Sequence, residues 1–272
     1  MKRLPVNFLI GTAFVGLVVG VAALSLIWTP HDHPLLNIRS KFAPASPEHW
    51  LGTDQLGRDV FSQLMTAARN SVVVALTAVF IGGGIGVSLG LLAAAIGGLV
   101  EDFVMRLADI SFAFPTLLFA IMLAAVFGPS LTVAVVAIAF INIPVFARVA
   151  RASANQIWTR EYVYAARAAG MGRFAITRDH VLPNIAAPVI VQATIEFAIA
   201  ILAEAALSYL GLGAQPPAPS WGRMLSEAQT LMYLAPQLAI YPGLCIVLAV
   251  LGFSLLGDGL RDITDPRLAR ER

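Results

Sequence analysis

Long apolar runs separated by short polar segments dominate the chain. The runs cover residues 8–28, 71–100, 110–147, 185–207 and 238–256. About 20 apolar residues cross a bilayer, so the pattern is typical of membrane-spanning helices. The run 110–147 is too long for one helix, and Gly128-Pro129-Ser130 interrupts it near the middle. Two spans joined by a tight turn are therefore expected there, which gives six transmembrane helices in all.

The first run resembles either a retained span or a secretory signal. It follows Lys2 and Arg3, as both alternatives require. A signal peptide has an apolar core of about 7 to 15 residues and a small-residue cleavage site. This run is longer and ends in Ile27-Trp28-Thr29-Pro30, which favours a retained span.

Composition supports a membrane protein. Of the 272 residues, 58% are hydrophobic and 12% are charged, against about 25% charged in soluble domains. This excludes a soluble globule, and a net charge of +2 gives no reason to expect a nucleic-acid partner. The single cysteine, Cys245, excludes an internal disulfide and a thiolate metal cluster. We expect one all-α membrane domain over residues 1–272.

Basic residues predict the orientation. With the amino terminus inside, the cytoplasmic segments carry thirteen Lys and Arg residues and the outer segments carry five. Basic residues concentrate on the cytoplasmic side of membranes. Both termini are therefore expected in the cytoplasm, with an outer loop over residues 29–70 and a cytoplasmic loop over 148–184 inside the core spans 71–257.

The cytoplasmic segment Glu161–Pro183 is the most informative polar stretch. Thr159 is suited to cap a helix rich in alanine, and Gly170 is suited to the left-handed residue that ends one. Small alanine side chains leave a low surface on which another protein can pack, and nearby arginines can donate hydrogen bonds around it. A basic loop that merely follows the orientation rule is the alternative.

This segment resembles the loop shared by inner-membrane permeases of binding-protein-dependent ABC importers. The family pattern is Glu-Ala-Ala, three residues, Gly, nine residues, then Ile-x-Leu-Pro. Two positions depart from it. Tyr164 stands where the pattern has Glu, and His180 stands where it has Ile. A His at this second position resembles the dipeptide, oligopeptide and nickel branch. The resemblance implies an ATPase-docking loop formed by Glu161, Tyr164, Ala165, Ala166, Gly170, Arg173, His180, Leu182 and Pro183.

Further stretches extend the similarity over nearly the whole chain. In order, they are His49-Trp50-Leu51-Gly52-Thr53-Asp54 with Leu56-Gly57-Arg58-Asp59, residues 203–213 with Pro217 and Pro219-Ser220-Trp221-Gly222, and residues 257–262 with Asp265-Pro266-Arg267. Together they resemble the second, shorter (C-type) permease of a pair in that branch.

The resemblance implies a type I (MetI-like) permease fold in a bacterial or archaeal cytoplasmic membrane. It further implies a heterodimer with a related permease, two ATPase subunits that bind ATP and Mg, and an external solute-binding protein. The expected cargo is di- or oligopeptides, with nickel or another small solute as the alternative. The chain itself is expected to bind no cofactor and to be no enzyme.

The residues give independent support for an external energy source. A phosphate-binding loop ends in Gly-Lys-Ser or Gly-Lys-Thr, but the chain has only Lys2 and Lys41. The glycine cluster at residues 82–86 is expected at membrane depth, where small residues favour close helix packing. An ATP-independent secondary transporter and an intramembrane enzyme are rival classes, but neither accounts for the alanine-glycine helix.

Two acids lie within the fifth predicted span, Glu196 and Glu204. A charged group at the bilayer centre costs about 2.5 to 3.5 kcal/mol on insertion scales, so both are expected to face protein or a water-filled path. Glu204 matches the family motif and favours a structural role. Glu196 is interpreted either as a contact for a cationic substrate group or a metal, or as a protonated or paired acid between helices.

Three shorter expectations concern single sites. Asp109 is expected to cap the third span or to pair with Arg106. His31 and His33 form a His-x-His without an acidic cluster close by in sequence, so no metal site is predicted. Residues 59–70 show apolar positions at helical spacing, which predicts an amphipathic helix at the outer interface that leads into the second span.

Overall fold

The computed structural model describes residues 5–31 and 37–264. Lys2, Arg3, His33 and the stretch Asp265-Pro266-Arg267 lie outside these residues. The helices are α1 (Val6–Leu24), α2 (Val60–Ile96), α3 (Gly98–Ala113), α4 (Thr116–Phe127), α5 (Leu131–Trp158), α6 (Glu161–Ala168), α7 (Arg173–Ile176), α8 (Leu182–Tyr209), α9 (Trp221–Ala228) and α10 (Gln237–Thr264). A π-helical turn, Thr177–Val181, joins α7 to α8. Within the described ranges the one β-pairing is an isolated bridge between Thr53 and Asp59.

Five helical segments are long and apolar enough to cross a membrane. They are α1, α2, α5, the segment Arg173–Tyr209, and α10. The third predicted span corresponds to the pair α3 and α4, which are bent by 83° at the break between them. Pro115 is the N-cap of α4. Proline disfavours helical backbone in the residue before it, which accounts for the break between α3 and α4. The structure therefore has five single helices that match predicted spans, and six spans in all if the bent pair counts as one.

Glycine governs the packing between α2 and α5. A Cβ on Gly82, Gly86 or Gly90 would overlap a backbone carbonyl oxygen of α5. The three glycines are four residues apart and therefore share one face of α2. This close approach confirms the predicted helix-packing role of the glycine cluster.

The bundle has two ends with different short helices. Gly259 of α10 packs against Phe8, so the beginning of α1 lies beside the end of α10. The residues after α1 lie beside the beginning of α2, because the His31 amide bonds to Ser62 Oγ, so the beginning of α1 lies toward the end of α2. Arg173, which follows α6, bonds to the Ile96 carbonyl at that end of α2. This end of the bundle is called the α6 end. The α9 end carries the segment 37–59 and α9, because Trp221 bonds to Leu64 near the start of α2.

Residues 59–70 lead into the second span as a helix, as predicted, but their apolar positions pack in the bundle rather than at the membrane interface. They begin α2, which continues without a break to Ile96 and is capped by the Asp59 carboxylate, which accepts from the Ser62 amide at 2.8 Å. Val60, Leu64 and Met65 are buried in the bundle. The apolar positions that suggested a lipid-facing helix instead pack against protein, and no helix-breaking residue separates them from the span.

Candidate functional site

The cap of the short helix α6 lies one residue later than predicted. Thr159 closes α5: its Oγ1 donates to the Gln156 carbonyl at 3.0 Å, and Arg160 takes the N-cap position of α6. The prediction that Thr159 caps α6 is therefore wrong. The hydroxyl is used at the end of the preceding helix because only two residues separate α5 from α6.

Gly170 ends α6 in the left-handed conformation, as predicted, with φ of +86°. Its amide donates to the Arg167 carbonyl at 3.0 Å, and the Met171 amide donates to Ala166 at 3.0 Å. These two bonds satisfy carbonyls that the end of a helix leaves open. A Cβ at Gly170 would meet no described atom within 4 Å, so the backbone angle alone favours glycine.

Six of the eight residues of α6 are exposed. Tyr164, which stands where the family pattern has Glu, is 53% exposed, and Tyr162 is also exposed. Glu161, Tyr162, Tyr164, Ala165 and Gly170 form an exposed face, which we call the docking surface. Its small and aromatic side chains offer a shallow apolar patch with one carboxylate.

The other face of α6 anchors it to the bundle. Val163 and Ala166 are buried in a cluster with Trp158, Ile176 and Val181. Ala166, predicted as a docking residue, therefore points into the protein, because it lies three residues after Val163 on the same face. This anchor was not predicted. The apolar Val163 between two exposed tyrosines was the signal for it.

The remaining predicted docking residues surround α6. Arg173 is exposed and donates from Nη1 to the Ile96 carbonyl at 3.2 Å, which closes the end of α2. The His180 ring lies 6.0 Å from the Tyr162 ring, centroid to centroid. Leu182 and Pro183 are exposed at the beginning of α8. The structure thus brings these positions to one end of the bundle.

Ion pairs tie α3 to α5 near the same end. Glu101 accepts from Arg151 Nε, and Asp109 accepts from Arg148 Nη2. The expectation that Asp109 caps a helix or pairs with Arg106 is wrong. Asp109 lies in the last half of α3, far from its beginning at Gly98, and the neighbouring helix supplies its partner.

Glu204 is fully buried, with 0% exposure, at the contact of α2 and α8. It accepts from Ser71 Oγ at 2.7 Å and from Ser208 Oγ at 2.6 Å. Ser208 Oγ in turn accepts from the Ala214 amide at 3.1 Å. The carboxylate therefore joins two spans and the turn that follows α8.

Glu196 is also buried, but it is less fully bonded. Its Oε1 accepts from Gln192 Nε2 at 2.8 Å, one helical turn earlier. The prediction that both acids face protein rather than lipid is confirmed by their burial.

A charge network that sequence analysis missed holds the α9 end together. Arg58 donates to Asp54 at 2.6 Å and to Glu227 at 2.8 Å, and Arg223 donates to Glu227 at 2.8 Å. Burial alone would lower the pKa of the Arg58 guanidinium, but Asp54 and Glu227 outweigh it and raise that pKa above its ordinary value. Glu227 is 169 residues from Arg58, so the local sequence gave no signal for this pair.

Comparison with solved structures supports the fold. The chain superimposes on inward-facing conformations of the MetNI methionine ABC transporter with a TM-score of 0.62 at 20% identity, over 75% of this chain and 97% of that one. This likeness confirms the predicted type I (MetI-like) permease fold.

Curated relatives are much closer in sequence. The chain is 42% identical over 98% of its length to the dipeptide transport system permease protein DppC of Alkalihalophilus pseudofirmus, covering 88% of that protein. It is 44% identical to the glutathione transport system permease protein GsiD of Pectobacterium atrosepticum, over 82% of this chain and 74% of that protein. It is 36% identical to the probable D,D-dipeptide transport system permease protein DdpC of Escherichia coli, over 94% and 87%.

The family model described as binding-protein-dependent transport system inner membrane component matches residues 86–270, a range that contains α6 and both buried glutamates. Given this match and the relatives above, the chain is an inner-membrane permease that belongs to the family of binding-protein-dependent transport system inner membrane components.

Proposed function

We propose that this chain is one of two permease subunits that form the path of an ATP-driven importer for peptides. The relatives named above are permeases for dipeptides, D,D-dipeptides and glutathione. All three cargo classes are short peptides. Their shared chemistry supports peptides over nickel or another small solute as the cargo.

The docking surface carries this proposal. It is the exposed face of α6, and the opposite face of this helix is fixed to the bundle by Val163 and Ala166. An ATPase subunit that grips this surface would move α6 together with Trp158 at the end of α5 and Val181 at the beginning of α8. Because packed side chains transmit a displacement rather than absorb it, closure of the ATPases would shift both spans.

The proposed orientation places the α6 end in the cytoplasm. The beginning of α1 and the end of α10 lie at the same end, so both termini would be cytoplasmic. ATP and Mg would bind to two ATPase subunits at this end. The α9 end would face the external solute-binding protein.

The second permease would complete the path. An apolar groove of about 470 Å³ opens between α2, α5, α8 and α10 and is lined by Phe80, Gly84, Ile190 and Thr194 among others. An apolar face on a membrane helix is expected to lie against lipid or another helix. We assign it to the contact with the related permease.

Gly170 provides the main test. In proteoliposomes that contain the complete importer, Gly170→Leu should abolish ATP-dependent peptide uptake, because leucine disfavours the left-handed backbone that ends α6. Gly170→Asn should retain more uptake, since asparagine tolerates this conformation.

Gly172 supplies a matched control. It is exposed and has φ of −71°, and a Cβ at this position would meet no described atom within 4 Å, so Gly172→Leu should transport normally. Full uptake by Gly170→Leu would contradict the docking role. Uptake of peptide without ATP by the wild type would show a secondary transporter instead.

Of the two predicted path residues, we assign the path role to Glu196. Glu204 is already bonded to two serines, whereas Glu196 bonds to Gln192 among the described side chains. Glu196→Gln should therefore raise the KM for peptides with a free amino group and leave the KM for amino-blocked peptides unchanged. Equal uptake kinetics for both peptide types in the variant and the wild type would leave Glu196 a packing role only.

A further inference from the structure

Two histidines and an acid from two different segments of the chain meet at the α9 end of the bundle. His31 follows α1, while Glu48 and His49 precede α2. Their side chains offer one ligand atom each within 4.8 Å of one another. The rings of His31 and His49 lie 4.6 Å apart, centroid to centroid. This cluster lies at the opposite end from the docking surface, and the transport proposal makes no use of it.

A buried carboxylate orients the second histidine. His49 Nδ1 lies 3.0 Å from Asp59 Oδ1, and the Asp59 side chain is only 2% exposed. A carboxylate accepts a hydrogen bond, so this contact places the ring proton of neutral His49 on Nδ1. The lone pair of Nε2 is then directed away from Asp59. A histidine whose second nitrogen bonds to a carboxylate is the usual arrangement of a metal ligand.

The first histidine has spare bonding capacity. His31 Nδ1 is buried and has no hydrogen-bond partner among the described residues, and it lies 3.7 Å from Asp59 Oδ1. Its backbone amide donates to Ser62 Oγ at 3.0 Å, and this hydroxyl donates to Asp59 Oδ2 at 2.8 Å. The ring is thus tethered beside Asp59, although nothing in the described chain satisfies its nitrogen.

We propose that His31, His49 and Glu48 bind a divalent transition-metal ion such as Zn²⁺, with Asp59 as the residue that positions His49. Two imidazoles and one carboxylate form a ligand set that suits zinc, and three protein ligands leave a further position for water. The ion would join the segment after α1 to the beginning of α2. Mg²⁺ and Ca²⁺ would not replace it, because they prefer oxygen ligands.

The test is zinc binding by the complete, nucleotide-free importer in lipid nanodiscs, measured by equilibrium dialysis with Zn²⁺ alone. The wild type should bind one more Zn²⁺ per copy of this chain than His31→Ala or His49→Ala. His180→Ala is the matched control and should bind as the wild type does, since His180 lies at the α6 end. A wild type that binds no more zinc than the two variants would overturn the proposal.

Two further variants separate metal binding from folding. Asp59→Asn keeps a residue that caps helices well, yet removes the carboxylate that orients His49, so zinc affinity should fall by about 10- to 100-fold. Glu48 is exposed, and Glu48→Gln should weaken zinc binding without lowering the thermal unfolding temperature of the metal-free protein. Unchanged zinc affinity in both variants would contradict the site.

A variant in the His-x-His motif completes the test. His33→Ala should leave the zinc equivalent in place, because the proposed ligands do not include His33. Loss of zinc in His33→Ala with retention in His49→Ala would assign the ion to the motif instead and would overturn this ligand set.

Discussion

Two helices of eight residues each, α6 and α9, lie at opposite ends of the bundle and differ in how they use their surfaces. Six residues of α6 are exposed, whereas none of the residues of α9, all of them described, is exposed. Trp221 of α9 donates to the Leu64 carbonyl at 3.3 Å, and Glu227 pairs with Arg58. A helix with no exposed residue serves the fold, and one that is anchored on one face only has a surface left for a partner.

The largest expected effect on the free energy of unfolding concerns α9. A Cβ at Gly222 would overlap the backbone of Ala205 on α8, so Gly222→Leu should destabilise the protein by about 3 kcal/mol. Thermal unfolding in nanodiscs measures this loss. Gly170→Leu, the corresponding change beside α6, should cost about 1 to 2 kcal/mol, the strain of a left-handed residue. Equal losses at both glycines would remove the distinction between the two helices.

An intermediate effect is expected where α8 meets α2. Glu204→Ala leaves the hydroxyls of Ser71 and Ser208 without their buried partner. One unsatisfied buried group costs about 1 to 3 kcal/mol, but each hydroxyl can rotate to a carbonyl of its own helix, so a total loss of about 2 kcal/mol is expected. Ser71→Ala removes one bond and should cost less. Unfolding temperatures of the two variants in nanodiscs give the comparison, and a Ser71→Ala loss as large as that of Glu204→Ala would contradict the shared network.

The smallest expected effect on stability is at the docking surface. Ala165 is exposed, so Ala165→Arg should change the free energy of unfolding by less than about 0.5 kcal/mol. The added side chain should nevertheless block the ATPase contact and abolish uptake in the assembled importer. Thermal unfolding and uptake are measured on the same preparation. Normal uptake would show that the partner does not touch this face.

The sequence predicted the elements that depend on local patterns. Apolar runs long enough for a bilayer located the spans, and Gly170 marked the end of α6 because only glycine adopts its backbone angle without strain. The 83° bend between α3 and α4, with Pro115 at the break, was not predicted.

The hydrogen-bond partners of individual side chains could not be predicted in the same way. Asp109 pairs with Arg148 on α5 rather than with Arg106 on its own helix, and Thr159 serves α5 rather than α6. In each case a residue had two chemically equivalent options nearby. The choice depended on which donor or acceptor came within hydrogen-bonding distance.

By itself, the sequence determined that this chain is a bundle of membrane helices with an alanine-glycine helix at one end, because hydropathy and backbone preference act over a few residues. Only the tertiary structure decided that Glu204 joins two spans and that His31 lies beside His49. These contacts depend on distances between segments remote in the chain, and those distances are set by the packing of whole helices.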